Sequence, residues 1–259
     1  MFDLLVKHPD ISGSDPKETY FLSDNGYDNF DYSKNITNPN ASWNEFFPVA
    51  DSSHQYFLEG SVSNFYQENA KKYVKDHPGT KIVFILRDPV DRFISNYKYY
   101  YNKVNGIDPS LDIATYYEYV KQGKFTRQAL KYSLIHGQYV RYLEEWKKIA
   151  GDENICIVGL KELANDHNAV MEKISLFLGL PPYKVDSLKR SNVSRQLVHT
   201  GLHRKLYRLF GGKITVPDFL RRLYVKLFSK EFSVQVDDNL RKEIKSNYAE
   251  EYASLSQYF

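Results

Sequence analysis

A chain of 259 residues with a formal net charge of only +3 gives no global electrostatic argument for nucleic acid, and its ordinary apolar share can build one real core. The single cysteine, Cys156, excludes an intramolecular disulfide and a multi-cysteine metal site, and it fits a reducing compartment. No apolar run approaches the roughly 20 residues of a membrane span, and no signal-peptide pattern opens the chain; the expected location is cytoplasmic.

In chain order, Phe2, Leu4 and Leu5 predict the tail of a helix that ends near His8-Pro9, because Pro9 disfavours helical geometry at His8. A loop follows, then Pro16-Lys17-Glu18-Thr19-Tyr20-Phe21, then a long aperiodic stretch, 24–43, rich in Asn, Asp, Ser and Tyr. Long loops in compact domains are often functional. Residues 55–62 read as a short strand, 64–77 as a helix closed by His77-Pro78-Gly79, and 81–86 as a second strand. That order predicts one βαβ unit with a parallel pair.

The segment 81–97, KIVFILRDPVDRFISNY, organises the rest. Five unbroken apolar residues suit a strand covered on both faces of a parallel sheet. Asp88 is a good N-cap, Pro89 suits the first helical position, and Asp91 adds negative charge to the first turn. Val90, Phe93, Ile94, Tyr97 and Tyr101 then form one apolar stripe, leaving Arg92 and Ser95 together on another face. Arg87 falls at the carboxyl end of the strand, where open α/β sheets hold ligands. A guanidinium with a hydroxyl near a helix start is a phosphate grip. By spacing alone the segment fits equally an ordinary strand–turn–helix with solvated arginines.

Beyond it, helices are predicted over 113–122 and 126–150, the second containing Gly137 beside His136, the latter read as a packed or solvated histidine. Residues 153–158 read as a strand with Cys156 as buried filler, 165–178 as a helix ended by Gly179-Leu180-Pro181-Pro182, and 239–259 as a final helix. Charge is uneven: from 184 to 230 there are twelve Lys and Arg against two Asp, so the remainder is acidic on balance. Two short basic helices are expected over 202–228. The second has an apolar stripe suited to packing on the body or to peripheral contact with an anionic membrane.

LRDPVDRFISNY closely resembles the 3′-phosphate-binding segment of sulfotransferases that use 3′-phosphoadenosine 5′-phosphosulfate (PAPS), most nearly in the glycan (heparan-sulfate-type) branch. The resemblance implies an α/β three-layer fold, a mostly parallel sheet flanked by helices, P-loop-like in family terms, as a single domain over 1–259 with a basic helical part at about 184–259. It gives Arg87 and Ser95 the donor's 3′-phosphate. In that branch an HP-x-I segment is followed by Lys-Glu and aromatic residues, which puts the base that accepts the acceptor's proton on Glu18, with Lys17 beside the sulfuryl group or steering an acidic acceptor. His54 is a rival base by residue type, but it precedes the strand at the end away from the expected site. Trp43–Phe46 and the residue after it resemble the family's segment before the second strand, and Tyr139 to Trp146 its packing helix. Glu59-Gly60-Ser61 resembles the family's Glu-Lys-Ser near the acceptor, so Glu59 and Ser61 are expected to bind substrate, with Gly60 replacing the Lys. Lys189, Arg190 and Arg195 fall where the family closes a loop over the adenosine and 3′-phosphate.

The expected reaction is transfer of a sulfuryl group from PAPS to a hydroxyl, on a carbohydrate or related acceptor, with no metal and no nucleic acid. The other reading is a truncated, non-catalytic PAP- or glycan-binding remnant. A nucleotide kinase on a similar fold needs a phosphate loop and a magnesium-holding Ser or Thr, and neither is found. The family's Pro-Lys-x-Gly-Thr-Thr loop for the 5′-phosphosulfate also has no counterpart here. The expectation is therefore an N-terminally truncated fold, poorly stable and nearly inactive as it stands, with the missing strand and loop encoded upstream of Met1.

Overall fold

The computed structural model describes residues 1–49, 51, 53–102, 106–108, 110–185, 195–197, 229–231 and 234–259. Two parallel strand pairs run through its middle. β1 (Ile11–Gly13) pairs with β2 (Tyr56–Leu58), Ile11 opposite Tyr56. β3 (Ile82–Leu86) pairs with β4 (Ile155–Gly159), from Ile82 opposite Ile155 to Leu86 opposite Gly159. The expected β2–β3 ladder does not form; each strand takes the other neighbour.

The period of two sorts the strand side chains onto opposite faces. Ile11, Tyr56, Leu58, Val83, Cys156 and Val158 share one core with α1 (Phe2–Leu5), α7 (Leu160–Asn165) and α8 (His167–Leu178). Ile82, Phe84, Leu86, Ile155 and Ile157 face the other way, onto α2 (Glu68–Asp76), Phe65 and the helix bearing Trp146. The result is helix, sheet, helix, as expected of an α/β chain with parallel strands. A third core joins α3 (Pro89–Asn102) and α4 (Ile113–Lys121) to the C-terminal helix Asp238–Ser246. Residues 195–197 and 229–231 add an antiparallel pair, β5 and β6, that the sequence did not announce.

The predicted helix 126–150 is broken. It divides into α5 (Gln128–Lys131), a 3₁₀ turn (Ile135–Gly137) and α6 (Tyr139–Ala150). At the break, side chains replace helical N–H groups as donors to the carbonyls. Arg92 donates to Ser133 O at 2.8 Å, Tyr248 to Leu134 O at 3.1 Å and Tyr66 to His136 O at 3.1 Å. Gly137 permits this, since a Cβ there would lie 2.7 Å from the Tyr248 ring. On helix propensity Ala would gain about 1 kcal/mol over Gly; overpacking reverses the sign. Gly137→Ala is expected to lose about 1–3 kcal/mol in a urea titration, and a stabilised variant would contradict this close approach.

Other boundaries also move. The 64–77 helix starts later, at Glu68, because Asp24 from the long loop accepts from the N–H groups of Glu68 and Asn69, both at 2.8 Å. That loop is largely exposed but is anchored in the body. Asn35 is fully buried and donates to Ser23 O at 2.8 Å. The helix predicted at 165–178 gains a separate turn in front of it, α7. The final helix divides into α9 (Asp238–Ser246) and α10 (Ala249–Leu255). The many tyrosines are used as apolar bodies with a polar tip. Tyr97 donates to Leu111 O at 2.8 Å, and burial pushes its phenol up to about 12.

Candidate functional site

The carboxyl end of β3 carries the first half of the site. Asp88 caps α3, its Oδ1 accepting from Asp91 N–H at 2.9 Å, and Pro89 takes the first helical position. Val90, Phe93, Ile94, Tyr97 and Tyr100 are buried; Tyr100 rather than Tyr101 completes the fully covered stripe. Arg92 does not share a face with Ser95 in the way the helical spacing suggested. Its guanidinium turns inward to Tyr66 Oη (3.3 Å) and Ser133 O. That leaves Arg87 as the cation at the strand end. Its Nε is buried with no hydrogen-bond partner among the described residues. Ser95 is half-buried on α3, two turns after Arg87. β5, which holds Arg195, packs against α3. Lys189, Arg190 and the 202–228 segment lie outside the described residues.

The second half is the 14–20 turn. Gly60 N–H and Ser14 Oγ both donate to Lys17 O, at 3.0 Å each. Gly60, which stands where the family motif has Lys, has a steric reason: a Cβ there would lie 2.8 Å from the Phe2 ring and 3.2 Å from Lys17 O. Lys17 is exposed, with its ammonium 5.9 Å from the Phe2 ring centre. Glu18 is half-buried, and its Oε2 accepts from the Tyr20 hydroxyl at 2.5 Å. Tyr20 has φ of 54°, the left-handed region. Its phenol is raised well above the ordinary range, first by burial and then by the Glu18 carboxylate.

Glu59 and Ser61 lie directly behind this turn. Glu59 Oε1 accepts from Thr19 N–H (3.1 Å), Thr19 Oγ1 (3.1 Å), Ser61 N–H (2.9 Å) and the Ser61 hydroxyl, while Oε2 accepts from Asn64 Nδ2 at 2.7 Å. Ser61 Oγ in turn accepts from Tyr20 N–H at 3.0 Å. Both side chains, expected at the substrate, are thus engaged within the protein. They clamp the end of β2 to the turn that holds Glu18.

Tyr99, one helical turn beyond Ser95, adds to the rise of the Tyr20 phenol after burial and Glu18. His54 is elsewhere, paired with Asp51 Oδ1 at 3.0 Å before β2 starts, with the whole of that strand between it and Glu59. His136 is a core residue. Tyr66 stacks on it at 3.9 Å, Tyr27 Oη lies 3.0 Å from its Nε2, and burial, then Arg92, holds it neutral with a pKa well below the usual histidine range. The sequence reading missed Tyr20, Thr19 and Asn64. Thr19 and Asn64 carried no signal, and Tyr20 was seen only as an aromatic after Lys-Glu.

Comparison with known proteins bears on this arrangement. The family described as "sulfotransferase domain" matches residues 51–250. The chain is similar to the bifunctional heparan sulfate N-deacetylase/N-sulfotransferase 3 of Homo sapiens, 26% identical over 254 residues, which is 93% of this chain and 28% of that one. The corresponding enzyme 2 of Homo sapiens is 28% identical over 186 residues, 69% of this chain and 20% of that one. The chain thus spans less than a third of the length of these curated relatives. Among solved structures, a sulfotransferase from Alicyclobacillus acidocaldarius superposes with a TM-score of 0.57 at 22% identity, covering 82% of this chain and 85% of that one.

Proposed function

The chain belongs to the sulfotransferase domain family, and we propose that it transfers a sulfuryl group from PAPS to a nucleophile on an acidic glycan. The observation that carries the reading is Arg87: a buried guanidinium Nε without a partner among the described residues, at the carboxyl end of a parallel strand. Buried donors are almost always satisfied, so an anion from outside is the natural partner, and a nucleotide 3′-phosphate is one. Ser95 adds a hydroxyl from α3, the helix against which β5 packs.

Glu18 is the base. The acceptor's lone pair forms a bond to sulfur, the bond from sulfur to the 5′-phosphate oxygen breaks, and the acceptor proton passes to Glu18. Adenosine 3′,5′-bisphosphate leaves with the electron pair. The curated relatives are named for heparan sulfate N-sulfation, which supports a glycan acceptor and admits an amine as well as a hydroxyl. Either one must lose a proton for the product to be neutral at that atom. Lys17, exposed beside Glu18, is assigned to the transferring sulfuryl oxygens or to the acidic acceptor. Glu59 and Ser61 serve this reading from behind, by holding the turn.

The test is calorimetry with adenosine 3′,5′-bisphosphate. Arg87→Ala is expected to weaken binding by about 10- to 100-fold, and Ser95→Ala by about 5-fold, because a bond to a charged group is worth more than a neutral one. Unchanged affinity in a folded Arg87→Ala protein would remove the donor site from this strand end.

A further inference from the structure

We propose that Tyr20 is a positioning residue for the transfer reaction: its hydroxyl, donated to Glu18 Oε2, holds the carboxylate with its other oxygen toward the acceptor. The proposal rests on the reading of Glu18 as the base. Three observations carry it.

The first is the bond itself, 2.5 Å from Tyr20 Oη to Glu18 Oε2. A carboxylate on a half-buried turn has rotational freedom unless something holds one oxygen, and a phenol at this distance does. The second is the backbone. Tyr20, at φ 54°, is the one non-glycine residue with positive φ among the described residues. A bulky side chain there is strained, and such strain persists only where the surroundings over-determine it. Here they do: Tyr20 N–H is bonded to Ser61 Oγ, Tyr20 O accepts from Ser23 N–H at 3.0 Å, and Thr19 is bonded twice to Glu59. The third is what the ring does not do. It belongs to none of the three apolar cores, although Phe21 and Leu22 beside it are fully buried in one. A strained, half-buried tyrosine outside all three apolar cores gives its hydroxyl to Glu18. Burial and the neighbouring carboxylate keep that hydroxyl protonated, so it acts as a fixed donor and not as a second base.

The experiment is steady-state transfer from PAPS to an N-deacetylated and to a hydroxyl-bearing glycan, using the full chain and four variants. Tyr20→Phe is expected to lower kcat by about 10- to 50-fold, with the acceptor KM and the adenosine 3′,5′-bisphosphate Kd within about twofold of the parent. Tyr20→His keeps a ring N–H donor and tolerates positive φ; it is expected to recover most of the lost rate. Tyr20→Gly relieves the strain, so it should melt no lower than the parent yet be as slow as Tyr20→Phe. A Tyr20→Phe enzyme at the parent kcat, a loss confined to KM, or a His variant no faster than Phe overturns the proposal. The fourth variant, Glu18→Gln, separates the failures. If it is dead while Tyr20→Phe is fully active, only the Tyr20 assignment falls. If Glu18→Gln transfers at the parent rate, the base assignment falls and Tyr20 with it.

Discussion

Glu18→Gln is expected to lower sulfuryl transfer by a factor on the order of 10²–10⁴ while leaving nucleotide affinity intact. Glutamine keeps the size of the side chain and can still accept from the Tyr20 hydroxyl, which now sits 2.5 Å from Glu18 Oε2. What it loses is the ability to take a proton. An alcohol or an ammonium group becomes a nucleophile only when its proton has somewhere to go. Arg87 directly follows β3 and Ser95 lies in α3, not in this turn, so nucleotide binding should be separable from the rate. Labelled-donor turnover and calorimetry on the same preparation decide it. Near-normal turnover would move the base elsewhere, and His54 is the next residue by type, although its partner Asp51 and its place before β2 put it at the far end of the strand.

Glu59→Ala is expected to destabilise the protein by about 3 kcal/mol, or about 6–12 °C in Tm for a chain of this size. The carboxylate accepts five hydrogen bonds from Thr19, Ser61 and Asn64. Removing it strands several donors beneath the 18–20 turn, and a donor left without an acceptor costs more than a bond gained is worth. Glu59→Gln keeps an oxygen that can take most of these bonds, and should lose less than half as much. Transfer should also fall in Glu59→Ala well below its melting temperature, because the turn that aims Glu18 has lost its clamp. Melting followed by circular dichroism is the check: an Ala variant within 2 °C of the parent would show that the clamp holds nothing.

These expectations separate what was legible from what was not. The strand 82–86, its cap at Asp88 and the helix after Pro89 were readable because each depends on local rules: an apolar run, a capping side chain, a missing N–H. Arg87 was placed at the strand end by the same rules, and the lack of a partner for its Nε among the described residues is a fact of packing that no spacing contains. Arg92 shows the limit from the other side. Helical spacing set it with Ser95 on one face, yet the long guanidinium reached past that face to Tyr66 and Ser133 O.

The amino-acid sequence by itself determined the α/β class, the family resemblance and the candidate residues Glu18, Arg87 and Ser95, because all of these lie in short runs whose meaning is local. Only the tertiary structure decided three things: that β2 pairs with β1 and not with β3, that the 126–150 segment breaks around Gly137, and that Glu59 and Ser61 face the Glu18 turn. Each of these depends on partners from 40 to more than 100 residues away in the chain, as Glu59 is from Thr19 and Tyr248 from Gly137. Hydrogen bonds and steric contacts at that range arise when elements pack, and packing distance is not encoded in the period of any one segment.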